Sequence, residues 1–312
     1  MKPSQARNFL FLILCGMAIA ALMIPGAIVS IDTRSAYALW ESGHLFLFFV
    51  ASHLVCVVYP PLLHRTLAAQ LVSLLGGVLL CALAVEGLQS VISGKALELT
   101  DIIGDVTGTV LFLSFHYRRQ AKRYFFLHGS ALLLAGFVLW PVVCFFSDEM
   151  LARSQFPLLA DFETPFEKSR FEGKTGSGAL TTDQAFHGRR SLRLALLPGP
   201  WSGMTMKYFP SDWRGYSQFY FAVYNPGTDV VSLEISIQDA AYRHGNKPFS
   251  DCFSQKIDLP AGCWTRVQIP LVEVQKGPRT REMDLSNVVG LGFFVDKEKR
   301  PLTLYLDTIG LE

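Results

Sequence analysis

The chain has 312 residues, of which 50% are hydrophobic and only 17% are charged, and its formal net charge is +2. A large apolar share with so few charges is typical of membrane proteins. The nearly balanced charge leaves no basic surplus of the kind that nucleic-acid binding requires, so no nucleic-acid partner is expected.

The charged residues divide the chain into two unlike halves. Residues 1–147 contain 9 basic residues (Lys and Arg) and 6 acidic residues (Asp and Glu). Residues 148–312 contain 19 basic and 20 acidic residues. Apolar stretches of the length that a bilayer requires predict an all-α bundle of five transmembrane helices, at about residues 9–31, 43–62, 69–92, 99–117 and 124–146. Residues 148–157 are predicted to be a linker, and residues 158–312 a separate water-soluble domain.

The basic residues of the short loops predict the orientation in the membrane. With the N-terminus in the cytoplasm, seven of them lie inside, against Arg34 and Lys95 outside. Because five spans are an odd number, the soluble domain then lies outside the cytoplasm, in a periplasm or at the cell exterior. We therefore expect a multi-pass integral membrane protein in contact with membrane lipid.

The soluble half has the pattern of short β-strands. Apolar and polar residues alternate with period two over residues 191–197, 218–224, 231–237, 264–269 and 302–306. Turn signals such as Asn225-Pro-Gly227 separate these runs, so the pattern predicts an all-β sandwich or jelly roll. Cys252 and Cys263 lie in this half, where an oxidising compartment would allow a disulfide, although the sequence leaves open whether they pair.

The order of short motifs in this half resembles the galactose-binding-like jelly rolls. It is most similar to the carbohydrate-binding modules and the complex I intermediate-associated type domains, over about residues 158–312. The motifs are Asp161-Phe-Glu163, Asp212-Trp-Arg-Gly-Tyr216, residues 219–226, the loop 239–249, residues 259–265, Ile269-Pro-Leu271 and Leu304-Tyr-Leu-Asp307. The resemblance implies a non-catalytic module that binds a sugar on a concave sheet or on the loops at one edge.

Aromatic and polar residues in two loops are the candidate sugar contacts. The apolar C–H face of a pyranose stacks on a flat ring, and Trp or Tyr adds a hydrogen-bonding edge. The candidates are Trp201, in a Pro-Gly-Pro-Trp-Ser-Gly loop, and Asp239, Tyr242 and Arg243 in the loop after the predicted strand 231–237. Two further tryptophans, Trp213 and Trp264, fall where such folds usually place core residues.

The same resemblance implies a structural calcium ion, held between the first strand and the last. The matching carboxylates are Asp161, Glu163 and Asp307, and hard oxygen ligands of this kind suit Ca²⁺. Solvated strand ends are the simpler interpretation of these residues. No other cofactor is expected.

Ionisable residues inside the predicted spans form a second candidate site. Such residues are rare in membranes and usually face a bundle interior or a watery cavity. Glu86 and Gln89 are three residues apart and Asp101 and Asp105 four apart, so each pair lies on one side of its helix. The short connection between these helices predicts an outward-facing acidic cleft with six members, which are His44, Glu86, Gln89, Lys95, Asp101 and Asp105.

These membrane motifs resemble the VanZ-like integral membrane family over about residues 10–117. They are Gly43-His44, Glu86-Gly-Leu-Gln89, Gly94-Lys95 and Asp101-Ile-Ile-Gly-Asp105-Val-Thr-Gly108. The chain departs from the family at Lys95, where Arg is usual, and at Asp105, where Asn is usual. The resemblance implies relationship to a small membrane protein that lowers susceptibility to a glycopeptide antibiotic, and it implies no biochemical mechanism.

Three functions from different classes follow. The leading hypothesis is a VanZ-like membrane anchor that displays a carbohydrate-binding-like sandwich to cell-envelope glycan or glycolipid. The second is an envelope enzyme whose acidic membrane cleft carries out acid/base chemistry on a lipid-linked glycan. The third is a transporter or assembly component whose soluble domain is a packing partner, with Glu86 and Gln89 only bonding across helices. The sequence contains no zinc- or serine-hydrolase motif, so enzymatic activity is left open.

Overall fold

The computed structural model describes residues 33–93, 99–173, 175–244, 249–298 and 300–312. The chain divides into two compact units, Met1–Phe146 and Ser147–Glu312. The described part of the first unit is helical, and the second is a β-sandwich of two sheets.

The described part of the first unit consists of helices and two 3₁₀ turns. The helices are α1 (Arg34–Glu41), α2 (Gly43–Val58), α3 (Leu67–Ser93), α4 (Leu99–His116) and α5 (Phe125–Gln155), with 3₁₀ turns at Pro60–His64 and Arg118–Gln120. Within the described residues, three helical segments are long and apolar enough to cross a membrane, namely Arg34–Val58, Leu67–Ala84 and Phe125–Gln155.

The predicted count of five spans is therefore not supported. The span predicted at residues 9–31 lies outside the described residues. Helix α4 is present but is not among the three apolar segments, because Asp101 and Asp105 lower its hydropathy.

The ends of two helices also differ from the prediction. Helix α2 ends at Val58 rather than near residue 62, because Pro60 has no N–H to continue the helix and opens a 3₁₀ turn instead. Helix α5 continues to Gln155, so residues 148–155 of the expected linker are helical. Helix α1, which the sequence did not predict, begins after Thr33, whose hydroxyl accepts a hydrogen bond from the N–H of Ala36.

Helices α2 and α4 pack closely through small residues. A Cβ atom on Gly108 would lie 2.3 Å from the carbonyl oxygen of Leu45, so only glycine fits there. Ser52 Oγ donates a hydrogen bond to Thr109 Oγ1 at 3.0 Å across the same contact. Small residues that bring helix backbones together, joined by hydroxyl hydrogen bonds, are the usual means of helix association in membranes.

The described residues of the second unit form eleven strands in two antiparallel sheets. The strands are β1 (Leu158–Ala160), β2 (Phe171–Glu172), β3 (Gly176–Thr181), β4 (Ser191–Leu196), β5 (Gly199–Met206), β6 (Gln218–Asn225), β7 (Val231–Asp239), β8 (Phe253–Leu259), β9 (Cys263–Pro270), β10 (Val288–Glu298) and β11 (Leu302–Leu311). Sheet I has the order β3-β4-β11-β6-β9, with β1 also paired to β11, and sheet II has the order β2-β5-β10-β7-β8. Short helices α6 (Ala240–His244) and α7 (Leu271–Gln275) follow β7 and β9.

The core lies between the sheets and is filled by alternate residues of each strand. Trp213 is fully buried and stacks on Phe219 with ring centroids 5.5 Å apart, as expected of a core residue. The same expectation for Trp264 is wrong. In β9 the residues facing the core are Val267 and Ile269, so alternation sends Trp264 to the outer face of sheet I, where it is half-buried.

The disulfide that the sequence allowed is absent, because Cys252 and Cys263 are both free thiols. They stand at opposite ends of β8, a strand of seven residues. At about 3.3 Å per residue such a strand is far longer than the Cα separation that a disulfide spans. Burial, followed by the nearby Glu234 and Asp251 carboxylates, raises the pKa of the Cys252 thiol to about 11.

A buried ion pair fixes the end of α5 to the first strands of the sandwich. Arg170 Nη2 lies 2.7 Å from Asp148 Oδ1, and both side chains are fully buried. The Arg170 Nε donates to both carboxylate oxygens at 3.0 Å, and Nη1 donates to the carbonyl of Leu159. A buried guanidinium that loses its carboxylate partner is strongly destabilising, because the remaining charge has no water to solvate it.

We therefore expect Asp148→Ala to lower the free energy of unfolding of the sandwich by about 3 to 5 kcal/mol. The matched control is Asp212→Ala, which removes the carboxylate from the exposed Asp212–Arg214 pair and should change stability little. Denaturant unfolding of the full chain, followed by tryptophan fluorescence, measures both. Equal losses in the two variants would contradict the special role of the buried pair.

Candidate functional site

The outer face of sheet II carries polar and aromatic residues in aligned rows. Strand register places Glu172, Thr205, Gly292, Ser236 and Ser254 in one row. The neighbouring row contains Gly203, Phe294, Glu234 and Lys256, and beyond it Trp201 pairs with Asp296. We call these eleven residues the sheet II face.

Two glycines let an aromatic ring lie against the backbone of this face. A Cβ on Gly203 would lie 2.5 Å from Phe294 Cδ1, and a Cβ on Gly292 would lie 2.3 Å from Phe294 Cε2. Neither position therefore has room for a side chain. The Phe294 ring covers both glycines and gives the middle of the face an apolar surface.

Two buried polar atoms beside this ring have no hydrogen-bond partner in the part of the chain that the structure describes. They are Glu234 Oε2 and Ser236 Oγ, on the same face of β7. Glu234 is only 5% exposed, and its other oxygen accepts a hydrogen bond from Ser254. Buried polar groups in proteins are nearly always satisfied, so an unsatisfied pair on one surface points to a ligand or water that completes it.

A basic side chain lies between two carboxylates on the same face. Lys256 Nζ is 3.9 Å from Glu234 Oε2 and 3.5 Å from Asp296 Oδ2, and the lysine is more than half exposed. The face thus presents an ammonium donor next to carboxylate acceptors. Groups of both kinds can engage the hydroxyls of a sugar.

An exposed aromatic pair borders these polar groups. Trp201 on β5 is 45% exposed and Phe249 is 41% exposed, with ring centroids 5.9 Å apart. Phe249 belongs to the connection between β7 and β8, in the 3₁₀ turn Phe249–Asp251. Its contact with Trp201 places the Phe249 ring at the outer face of sheet II.

The structure separates the four ligand residues that the sequence suggested. Trp201 lies on the sheet II face, whereas Asp239 is fully buried at the end of β7. Both Asp239 oxygens are satisfied, by Arg281, by Tyr242 N at 2.9 Å and by Asp284 N at 3.0 Å. Asp239 therefore anchors the β7–β8 connection. Burial alone would raise its pKa, but these hydrogen bonds outweigh burial and hold the pKa below the usual range.

Tyr242 and Arg243 extend from this anchor in α6. Tyr242 is half-buried, and burial raises the pKa of its phenol. Arg243 is exposed and lies near enough to Glu172 for its charge to act on that carboxylate. Burial alone would raise the pKa of Glu172, but hydrogen bonds from Lys207 and Tyr208, together with the charge of Arg243, lower it.

Two of the three predicted calcium ligands meet the same loop. Glu163 Oε1 accepts hydrogen bonds from the backbone N–H groups of Arg189 and Arg190, and Asp307 Oδ2 accepts from Phe186 and His187. The Asp161 carboxylate instead accepts from the N–H of Glu163 at 3.2 Å. Within the described residues no group of three or more His, Cys, Asp or Glu side chains is placed to hold a metal ion, so the calcium site stays a prediction.

Three of the six predicted membrane-cleft residues come together between α2 and α4. His44 Nδ1 lies 2.9 Å from Asp105 Oδ1, and His44 Nε2 lies 3.8 Å from Asp101 Oδ2. His44 and Asp105 are buried. The side chains of Glu86 and Gln89 and the whole of Lys95 lie outside the described residues.

The sequence contained a signal for some of the residues that were missed. In the alternating run of β7, Ser232, Glu234 and Ser236 are the polar members, so alternation alone places them on the outer face. Phe249 carries no such signal, because it lies in a connection whose path depends on the tertiary fold.

Comparisons with known proteins concern the second unit. No protein-family model matches the chain, and no curated protein matches it, so the VanZ-like resemblance is not shown. Among solved structures, an exo-β-agarase has a TM-score of 0.41 at 19% identity. The match covers 50% of this chain and 24% of the agarase chain. This chain therefore spans about a quarter of the agarase.

Two carbohydrate-binding modules are also similar. The family 11 module from Clostridium thermocellum, in complex with a β-1,3-1,4-mixed-linked tetrasaccharide, has a TM-score of 0.39 at 14% identity and covers 49% of this chain and 93% of its own. The family 30 module of a Clostridium thermocellum cellulosomal cellulase has a TM-score of 0.35 at 17% identity. The match covers 46% of this chain and 86% of that module. What these proteins bind or cleave is a property of those proteins.

Proposed function

We propose that the second unit binds a glycan on the sheet II face. The observation that carries this proposal is a pair of buried oxygens, on Glu234 and Ser236, that have no hydrogen-bond partner among the described residues. They lie on the same sheet face as Trp201, whose exposed ring contacts that of Phe249. A ligand that satisfies both features has an apolar face and several hydroxyl groups. Pyranose rings have this combination, because their C–H faces stack on aromatic rings while their hydroxyls form hydrogen bonds.

Each part of the face has a role in this proposal. Trp201 and Phe249 stack on a sugar ring, and Glu234 Oε2 accepts a hydrogen bond from a hydroxyl. Ser236 Oγ donates to or accepts from a second hydroxyl, and Lys256 donates to a ring or hydroxyl oxygen. None of these contacts forms or breaks a covalent bond, so the proposed activity is binding.

The helical unit supplies the location. Three helical segments of the described residues have the length and composition of membrane spans. The basic residues of the short loops favour a sandwich that lies outside the cytoplasm. We propose that the protein holds envelope glycan or glycolipid at the membrane surface, as a VanZ-like anchor would.

We expect Trp201→Ala to weaken binding of the full chain, in detergent, to a mixed-linkage β-1,3-1,4-glucan oligosaccharide or to cell-envelope polysaccharide. Loss of a central aromatic contact should cost about tenfold or more in affinity. Glu234→Gln should weaken binding as well, because an amide replaces a carboxylate acceptor. Isothermal titration calorimetry measures the dissociation constants.

Trp264→Ala is the matched control, since it removes a tryptophan from the other sheet. Trp264→Ala should bind the mixed-linkage glucan oligosaccharide like the wild type. The proposal fails if the wild type binds no glycan, or if Trp201→Ala binds normally.

We also propose that the predicted calcium ion stabilises the sandwich. Glu163 and Asp307 lie against one loop, and an ion held there would tie β11 to that loop in addition to the backbone hydrogen bonds. If the ion binds, chelator should lower the thermal midpoint of the sandwich and excess Ca²⁺ should restore it. An unchanged midpoint in a calorimetric scan with chelator would rule the ion out, and Asp183→Asn, an exposed carboxylate nearby in sequence, is the control variant.

A second candidate function rests on the His44–Asp105 contact. A histidine held by one carboxylate, with another nearby, has the arrangement of a general base that an acid orients. If this pair acts on a lipid-linked glycan, Asp101→Asn and His44→Gln should abolish turnover of a polyprenyl-diphosphate-linked sugar while the unfolding midpoint stays normal. A lowered midpoint, or no turnover by the wild type, would instead assign the cluster to helix packing.

A further inference from the structure

The outer face of sheet I carries a continuous row of aromatic residues. Strand register aligns Arg193, Tyr305, Tyr224 and Trp264 across four neighbouring strands. The ring centroids of Tyr305 and Tyr224 are 6.0 Å apart, and those of Tyr224 and Trp264 are 5.5 Å apart. Phe186, from the β3–β4 connection, packs against Trp264 at 5.5 Å. We call these four aromatic residues and Arg193 the sheet I row.

The row is accessible from the outside. Phe186 is 44% exposed, and Tyr224, Trp264 and Tyr305 are each partly exposed. No core role accounts for them, because alternation assigns the core side of these strands to residues such as Val223, Leu304 and Leu306. Three aromatic side chains in one row of a sheet, joined by a fourth from a loop, form a surface on which a chain of rings can stack.

Shape favours an extended ligand that lies along the row. On one side, the β3–β4 connection crosses the sheet, since the N–H groups of Phe186 and His187 bond to Asp307 on β11. On the other side, the neighbouring row contains Ser177, Ala195 and Thr303. The β3–β4 connection on one side and the small residues on the other leave a shallow groove that runs across the strands.

Charge favours an acidic ligand. Arg193 is exposed and has no ion-pair or side-chain hydrogen-bond partner among the described residues. Arg266 lies two residues from Trp264 along β9. Its guanidinium lies over the Tyr220 ring at 5.4 Å and is 3.8 Å from Glu312 Oε2, and both charged groups are more than half exposed. The Asp307 carboxylate also points to this face, but it is buried and bonded to the loop.

We propose that the sheet I row is a second binding site, which takes an acidic polysaccharide with its sugar rings on the aromatic residues and its acidic groups on Arg193 and Arg266. The proposed ligand is a polysaccharide with a low density of acidic groups. Residues 148–312 contain 19 basic and 20 acidic residues, so they lack the dense positive charge that a nucleic-acid backbone requires. This site is on the opposite sheet from the proposed glycan site and does not depend on it.

The test uses the full chain in nanodiscs of phosphatidylcholine, with polygalacturonate as the acidic probe and dextran as the neutral one. Wild type should bind polygalacturonate saturably, and more weakly as salt rises. Trp264→Ala and Arg193→Gln should each weaken this binding about tenfold. Arg193→Gln removes an exposed side chain, so it tests the site even if Trp264→Ala fails to fold.

Two controls separate this site from general charge and from the sheet II face. Arg279→Gln removes an exposed arginine beside β8 and should bind polygalacturonate like the wild type. Trp201→Ala should also bind it normally. The inference is overturned if wild type does not bind polygalacturonate, if it binds dextran equally well, if Arg193→Gln binds like wild type, or if Arg279→Gln or Trp201→Ala loses the binding.

Binding of single-stranded oligonucleotide or of phosphatidylglycerol vesicles through Arg193, in preference to polygalacturonate, would also overturn it. Failure of the mixed-linkage glucan test with Trp201 leaves this result unaffected, because the two probes and the two tryptophans belong to different sheets.

Discussion

Strand alternation is the constraint on which the second unit of this protein depends. Successive side chains of a strand point to opposite faces, so every strand that fills the core also displays a row of residues outside. Tryptophans show the consequence, because Trp213 fills the core while Trp201 and Trp264 lie on the outer faces of different sheets. Two surfaces with different chemistry follow from one packing rule.

Buried polar residues of this unit fall into two groups. In one group all side-chain oxygens have hydrogen-bond partners, and in the other group an oxygen is left without one. Asp148 and Asp239 are fully buried, and each has an arginine partner with several hydrogen bonds, so each holds a segment of the chain in place. Glu234 and Ser236 are also buried, but each keeps one oxygen that has no hydrogen-bond partner among the described residues. Because leaving such atoms unsatisfied costs free energy, the difference identifies the sheet II face better than sequence position does.

The sequence predicted the period-two strands well, since β4, β6, β7, β9 and β11 all coincide with its alternating runs. It did not predict β5 or β10, whose glycines interrupt the alternation because Phe294 lies over them. It placed Trp201 on the surface but assigned Trp264 to the core, although the alternation of β9 already put Trp264 opposite Val267. Phe249 and the partners of Asp239 come from long-range folding, which no local pattern contains.

Hydroxyl-radical footprinting of the full chain, with and without mixed-linkage glucan oligosaccharide, tests the central claim most directly. Bound glycan should protect Trp201 and Phe249 from oxidation and leave Trp264 and Phe186 as reactive as in the free protein. Protection of Trp264 with Trp201 unchanged, or no protection at saturating oligosaccharide, would contradict glycan binding on the sheet II face.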